Sequence, residues 1–148
     1  MTAEFCDTNI LVYAYDVTAG VKREQAEALL ARLWTSDDGV VSVQVLQELF
    51  VALTRKIPRP LTAVDARLIV SDMTAWRVVE PNSRDVLDAI DGADRWRVSF
   101  WDAMIVTAAS RAGARIVWSE DLNAGQSYGD VTVYNPFSLP NHSSSAPE

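Results

Sequence analysis

Apolar and polar positions along this chain alternate between strand-like and helix-like periods. Glu4-Phe5-Cys6 leads a first strand that ends at Asp7, and Ile10-Leu11-Val12-Tyr13 begins a short helical turn behind it. Ala26, Leu29, Leu30, Leu33 and Trp34 then mark one face of a helix, which Asp37-Asp38-Gly39 ends. Val40-Val41 is a short apolar run. Ser42 can cap the helix that follows, whose predicted core stripe is Val43, Leu46, Phe50, Leu53 and Ile57 before Pro58 and Pro60 stop it. Thr62 with Asp65 has the spacing of a capping box for a helix to about Ala75, followed by a strand at Arg77-Val78-Val79. Ser83 opens another helix. The most apolar helix runs from near Ser99 to Ala112 and stops at Gly113; Ile116-Val117-Trp118 and Val131-Thr132-Val133-Tyr134 supply the last two strands.

Strands separated by helices predict an α/β fold, a mainly parallel five-stranded sheet covered on both faces. In such sheets ligands bind beyond the carboxyl ends of the strands, where the strand order reverses. Asp7 ends the first strand and Asp121 closely follows the strand containing Val117. Both carboxylates therefore belong to the edge where a site is expected.

Composition narrows the chemistry. With 148 residues, 49% of them hydrophobic, the chain matches one domain and has no apolar run long enough for a bilayer. The Met1 to Asp7 segment lacks the basic start of a signal peptide, and the single Cys6 cannot form an internal disulfide, so a cytoplasmic location without membrane contact is expected. The only histidine, His142, lies in a polar, proline-bearing tail, residues 138–148. Imidazole acid–base catalysis, thiolate or imidazole zinc clusters and serine or cysteine triads are thus set aside. Any catalysis falls to carboxylates. The net charge of −7 also argues against nonspecific polyanion binding, so a nucleic-acid substrate needs a local site.

Four acids stand out, each with a plainer explanation beside it. Asp102 shares the helical stripe of Ile105, Ala109 and Ala112, about 60° from Ile105 on a helical wheel, so a carboxylate faces the apolar side. Leaving it unpaired there costs on the order of several kcal/mol. Its distance from Ser99 is also that of a capping box. Asp7 can simply cap the turn behind it. Glu48 falls opposite Leu46 and Phe50, with Gln44 and Arg55, where a solvated glutamate belongs. Asp121 sits in Ser119-Glu120-Asp121-Leu122-Asn123-Ala124-Gly125, an ordinary loop composition, with Glu120 as an alternative acid. Arg95-Trp96-Arg97 can bind phosphate and stack a base, or merely finish an amphipathic helix.

Taken together, Asp7-Thr8-Asn9-Ile10-Leu11-Val12-Tyr13-Ala14-Tyr15-Asp16, Gln44-Val45-Leu46-Gln47-Glu48-Leu49, Ser99-Phe100-Trp101-Asp102-Ala103-Met104-Ile105-Val106 and Ser119-Glu120-Asp121-Leu122-Asn123-Ala124-Gly125-Gln126 resemble the PIN-domain family, in its VapC-type toxin branch. The four blocks keep the family's order over residues 1–137. The resemblance implies a three-layer α/β/α sandwich and an endoribonuclease using Mg²⁺ or Mn²⁺. It puts Asp7, Glu48, Asp102 and Asp121 in the metal site, with Thr8, Asn9 and Ser119 as orienting groups. Asp7 and Asp102 are then the principal ligands. It further implies RNA as substrate, a cognate antitoxin as partner, and a homodimer. Leu49 stands where many relatives carry phenylalanine, and Ala124 where a histidine or larger polar residue is common, which bears on substrate choice. Four clustered anions repel one another, and a hard divalent cation with oxygen ligands is their natural neutraliser. Two rival readings are a haloacid-dehalogenase-type phosphatase, which needs a second aspartate where Asn9 stands, and a non-catalytic interaction module.

Overall fold

The computed structural model describes residues 2–138. Its elements are β1 (Glu4–Cys6), α1 (Thr8–Tyr15), α2 (Val21–Ser36), β2 (Gly39–Ser42), α3 (Val43–Arg55), α4 (Ala63–Met73), β3 (Arg77–Val79), α5 (Ser83–Trp96), α6 (Phe100–Arg111), β4 (Ile116–Trp118), β5 (Ser127–Tyr128) and β6 (Val131–Tyr134). The expected polar tail and His142 lie outside the described residues, apart from Ser138.

The strands form one sheet in the order β3-β2-β1-β4-β6-β5, parallel except for β5 against β6. The sheet has six strands where five are expected from the sequence. The extra strand is the two-residue β5, joined to β6 through Gly129-Asp130 with Gly129 at φ 66°. Two residues are too few for a period to show.

Topology follows from handedness. Crossovers between parallel strands are right-handed, so the steps β1 to β2 and β2 to β3, in one direction, place α1 to α4 on one face. The return from β3 to β4 places α5 and α6 on the other. The packing agrees: α1 lies on α2 and α3, α3 on α4, and α5 on α6, with α6 against β2, β4 and β6. β1 and β2 are buried along their whole length, as central strands covered on both sides must be. The order reverses at β1, flanked by β2 and β4, and that crevice is where the sheet offers a site. Among the described residues no helix is long and apolar enough to cross a membrane.

Two helix faces differ from the sequence reading. On α2 the predicted stripe is buried at Ala26, Leu29, Leu30 and Leu33, but Trp34 is 43% exposed and leans edge-on against Trp76. On α3 the core residues are Val45, Leu49, Ala52 and Leu53, whereas Phe50 is exposed and Val43 and Leu46 are half-buried. The helix is turned so that Gln44 and Glu48 face inward. Both α3 stripes are apolar enough to serve, and only the crevice beside α1 decides between them.

Candidate functional site

Each strand at the crevice delivers a polar residue immediately after its last apolar one. Cys6 and Trp118 are in register and the Asp7 N–H donates to the Trp118 carbonyl at 2.9 Å, so Asp7 and Ser119 emerge side by side. The Ser119 hydroxyl donates to Asp7 Oδ2 at 2.8 Å, and the Thr8 N–H donates to Asp7 Oδ1 at 2.7 Å. Asp7 is thus the N-cap of α1 as well as a member of the site.

Asn9 stitches the β4 loop to this pair. Its Nδ2 donates to Asp7 Oδ2 at 3.3 Å and Asp121 Oδ2 at 3.1 Å, while its Oδ1 accepts the Glu120 N–H at 3.0 Å. Ser119 Oγ accepts the N–H of Asp121 at 3.1 Å and of Leu122 at 3.3 Å, which curls the loop and turns Asp121 back toward α1. The neighbouring acid is occupied elsewhere. Glu120 is ion-paired with Lys22 and accepts the Tyr13 hydroxyl at 2.7 Å, and these bonds hold its carboxyl below its ordinary pKa against the opposing effect of burial.

Glu48 joins from α3. The Thr8 hydroxyl donates to its Oε1 at 2.6 Å and Gln44 Nε2 to its Oε2 at 3.0 Å. Gln44 also donates to the Trp101 carbonyl at 3.2 Å, tying α3 to the first turn of α6, where Asp102 lies. The expectation of a solvated Glu48 therefore fails, for the same reason that the α3 face differs. Gln44 carries no weight in the sequence reading beyond its place on that face; its i−4 spacing from Glu48 is the signal that marks it.

Asp102 is half-buried at the N-terminus of α6. Its backbone N–H donates to Ser99 Oγ at 3.0 Å, but the reciprocal bond of a capping box is not made. At the start of α5 both halves exist between Asn82 and Asp85. The Asp102 carboxylate is accordingly not consumed by capping. Burial raises its pKa, the Ser99 hydroxyl opposes, and the charges of Asp121 and Glu48 push the same way as burial.

Asp7, only 5% exposed, is the most perturbed of the set, pushed up to about 6. Burial is the largest cause; bonds from Ser119 and Thr8 resist it, and the Asp121 and Glu48 charges add to it. Among the described residues no ion pair involves Asp7, Glu48, Asp102 or Asp121. A cleft of about 490 Å³ opens over Thr8, Asn9, Glu48 and Asp121 and continues past Val12, Ala52, Ile57 and Pro58 to Lys56. Arg95 and Trp96 border a different groove, between α5, α6 and the β5–β6 turn, where Trp96 packs edge-on against Tyr128. They are not brought to the acids. Cys6 is wholly buried, and burial pushes its thiol pKa far up, in keeping with a core residue.

Among the described residues no three acidic, histidine or cysteine side chains close on one point at metal-liganding distance; Thr8, Asn9, Gln44 and Ser119 stand between the acids. The donor chemistry nevertheless fits a hard divalent cation. Carboxylate, hydroxyl and amide oxygens surround one crevice, a buried acid there lacks a cationic partner, and repulsion between acids is what a cation would relieve.

The fold has counterparts in known proteins. The VapC20 toxin of Mycobacterium tuberculosis, which cleaves the sarcin–ricin loop, is similar in structure with a TM-score of 0.63 and 20% identity, over 80% of this chain and 90% of that one. A toxin–antitoxin complex from Klebsiella pneumoniae gives a TM-score of 0.67 at 16% identity, over 91% and 98% of the two chains. DNA-bound VapBC from Salmonella typhimurium gives 0.64 at 16% identity, over 92% and 99%. At these identities the likeness is one of fold. No curated protein sequence matches significantly. The PIN-domain family model matches residues 5–126, from the first strand through the loop that carries Asp121, and so the chain belongs to the PIN-domain family.

Proposed function

We propose that this chain is a VapC-type toxin, a divalent-metal-dependent endoribonuclease acting at the β1/β4 crevice. The observation that carries the reading is Asp7: a buried carboxylate without a cationic partner, tied through Ser119 and Asn9 to Asp121 and electrostatically coupled to Glu48. Asp7 and Asp102 are the principal ligands in this reading, with Glu48 and Asp121 completing the set. Mg²⁺ or Mn²⁺ held there would supply activation of water for in-line attack on a phosphodiester and stabilisation of charge on the leaving oxygen.

The chain's own residues prepare that chemistry. Ser119 and Thr8 fix both Asp7 oxygens, Asn9 sets the spacing of Asp7 from Asp121, and Thr8 with Gln44 fixes both Glu48 oxygens. Hydrogen bonds of this kind orient metal ligands and support metal affinity. Asn9 occupies the place where the phosphatase reading needs an acid, and it serves as a hydrogen-bonding bridge instead.

Partners follow the same reading. Relatives in fold include toxin–antitoxin complexes, and an acidic cleft on a chain of net charge −7 suits a basic inhibitory segment of a cognate antitoxin. A homodimer working in the cytoplasm completes the proposal. The test is cleavage of single-stranded and structured RNA with Mg²⁺, by parent, Asp7→Asn and Asp102→Asn proteins. Cleavage by the parent and a loss of at least about 100-fold in both variants is expected; Mg²⁺-dependent cleavage retained by both overturns the assignment.

A further inference from the structure

The cleft changes character along its length. One end carries Glu48, Asp121 and Asn9 with Glu120 beside them, the middle is walled by Val12, Tyr13, Ala52 and Ile57, and the far end carries Lys56 from α3 and Asp16 from the end of α1, whose carboxylate accepts the backbone N–H and hydroxyl of Thr18. Glu48, Ala52 and Lys56 follow at i, i+4 and i+8 along α3 and its C-cap, which sets their backbones about 12 Å apart on one line. Lys56 belongs to a basic segment. Residues 49–64 include Arg55, Lys56 and Arg59 and no acid, in a chain whose acids exceed its bases by seven. Arg55, Lys56 and Arg59 are all exposed and form no ion pair among the described residues. The other lysine, Lys22, is neutralised by Glu120.

A cation in the last turn of a helix has an ordinary use, since it complements the helix dipole. That use calls for one cation near the last carbonyls. It does not call for Arg59, beyond Pro58, nor for a lysine lining the cleft. An acidic chain acting on a polyanion needs a local source of positive potential beside its acids.

We propose that Lys56, supported by Arg59, binds a backbone phosphate of single-stranded RNA one or two nucleotides from the cleaved bond, while the apolar middle of the cleft receives the intervening ribose and base. This rests on the ribonuclease reading above and adds to it the direction in which the strand lies, from the β1/β4 crevice along α3 toward the α3–α4 connection. Lys56 and Arg59 are substrate-positioning residues in this account and touch no reacting atom.

The experiment uses the full chain and a fluorescently labelled single-stranded RNA of ten nucleotides, with anisotropy read in EDTA so that binding is separated from cleavage. The Lys56→Ala/Arg59→Ala double variant should bind about 10-fold more weakly, and its plot of log affinity against log salt should be shallower by about 0.7, the share of one phosphate contact on a single strand. Lys56→Arg should restore part of the affinity, and Arg84→Ala, on α5, should bind as the parent does. In Mg²⁺ the double variant should show KM raised by a similar factor with kcat within about twofold. Equal affinity and equal salt slope in parent and double variant overturn the proposal, as does a fall in kcat at unchanged KM. If the parent binds the RNA through Lys56 but never cleaves it, the ribonuclease reading falls and the phosphate contact stands.

Discussion

Asp7 combines two roles that pull against each other. As the N-cap of α1 it accepts backbone and hydroxyl bonds, and as a buried anion it is costly, which is why its pKa is pushed up to about 6. Between the ordinary aspartate value and about 6 the folded protein keeps a proton that the unfolded chain releases. This residue's contribution to stability therefore declines as pH rises through that window and stays low above it. Asp7→Asn keeps the size and the capping oxygen and removes the charge. Without metal it should be more stable than the parent by about 1–3 kcal/mol at pH 8, with the difference gone by about pH 4. Urea unfolding at the two pH values checks this, and a variant less stable at pH 8 would contradict it. The neighbouring acids divide in the same way. Asp121→Asn should reduce cleavage at least about 10-fold and Glu120→Gln no more than about threefold, because Glu120 is held by Lys22 and Tyr13 and Asp121 by the bridge to Asp7. Initial rates on one RNA separate the two. From sequence alone this choice stays open, since adjacent loop acids have no period to tell them apart.

At the scale of elements, legibility depended on how many interpretations each pattern allowed. Strand ends were plain: Asp7 and Ser119 follow directly on apolar runs, and register brings them together. α6 was equally plain, with Ile105, Ala109 and Ala112 buried on the stripe that Asp102 heads. α3 was not. Its sequence offers two apolar stripes, and the one containing Val45, Leu49 and Ala52 is buried because Gln44 and Glu48 must reach Thr8 and Trp101. Glu48 was therefore carried by resemblance where Asp102 was carried by pattern. The same insensitivity hides the fit of β2 against Trp76. A Cβ on Gly39 would lie 2.6 Å from two atoms of the Trp76 ring, itself 6% exposed, and the ring has little room to retreat. Gly39→Ala should cost about 1–3 kcal/mol by overpacking, read as a lowered urea midpoint at unchanged slope. A neutral result would mean that Trp76 repacks toward Trp34.

For the whole molecule, the α/β order and the switch point were legible because they rest on many apolar residues and one rule of handedness. The sixth strand and the cleft's far wall were not, because they arise only when distant segments meet. Charge acts at this scale too. Three acids respond to pH in opposite senses. Burial pushes Glu4 up, but bonds from Arg32 and Trp118 prevail and hold it below its ordinary value, so its support is present above the usual glutamate range and lost as pH falls through the lower folded value. Asp7 and Asp102 are raised, and what they contribute is lost as pH rises. A cation bound at the crevice as proposed would compete with protons for those two carboxylates and would leave Glu4, committed to Arg32, unaffected. Saturating Mg²⁺ at about 100 times its Kd should thus stabilise the fold by about 2.7 kcal/mol at pH 8, a rise in Tm of roughly 5–10 °C for a chain of this size. At pH 5 the same concentration should raise Tm far less, since Asp7 is then mostly protonated. Asp7→Asn should remove most of the response at pH 8. Thermal unfolding of parent and variant at both pH values decides it: an equal Mg²⁺ response at pH 5 and pH 8, or in parent and Asp7→Asn, would place the cation somewhere other than this crevice.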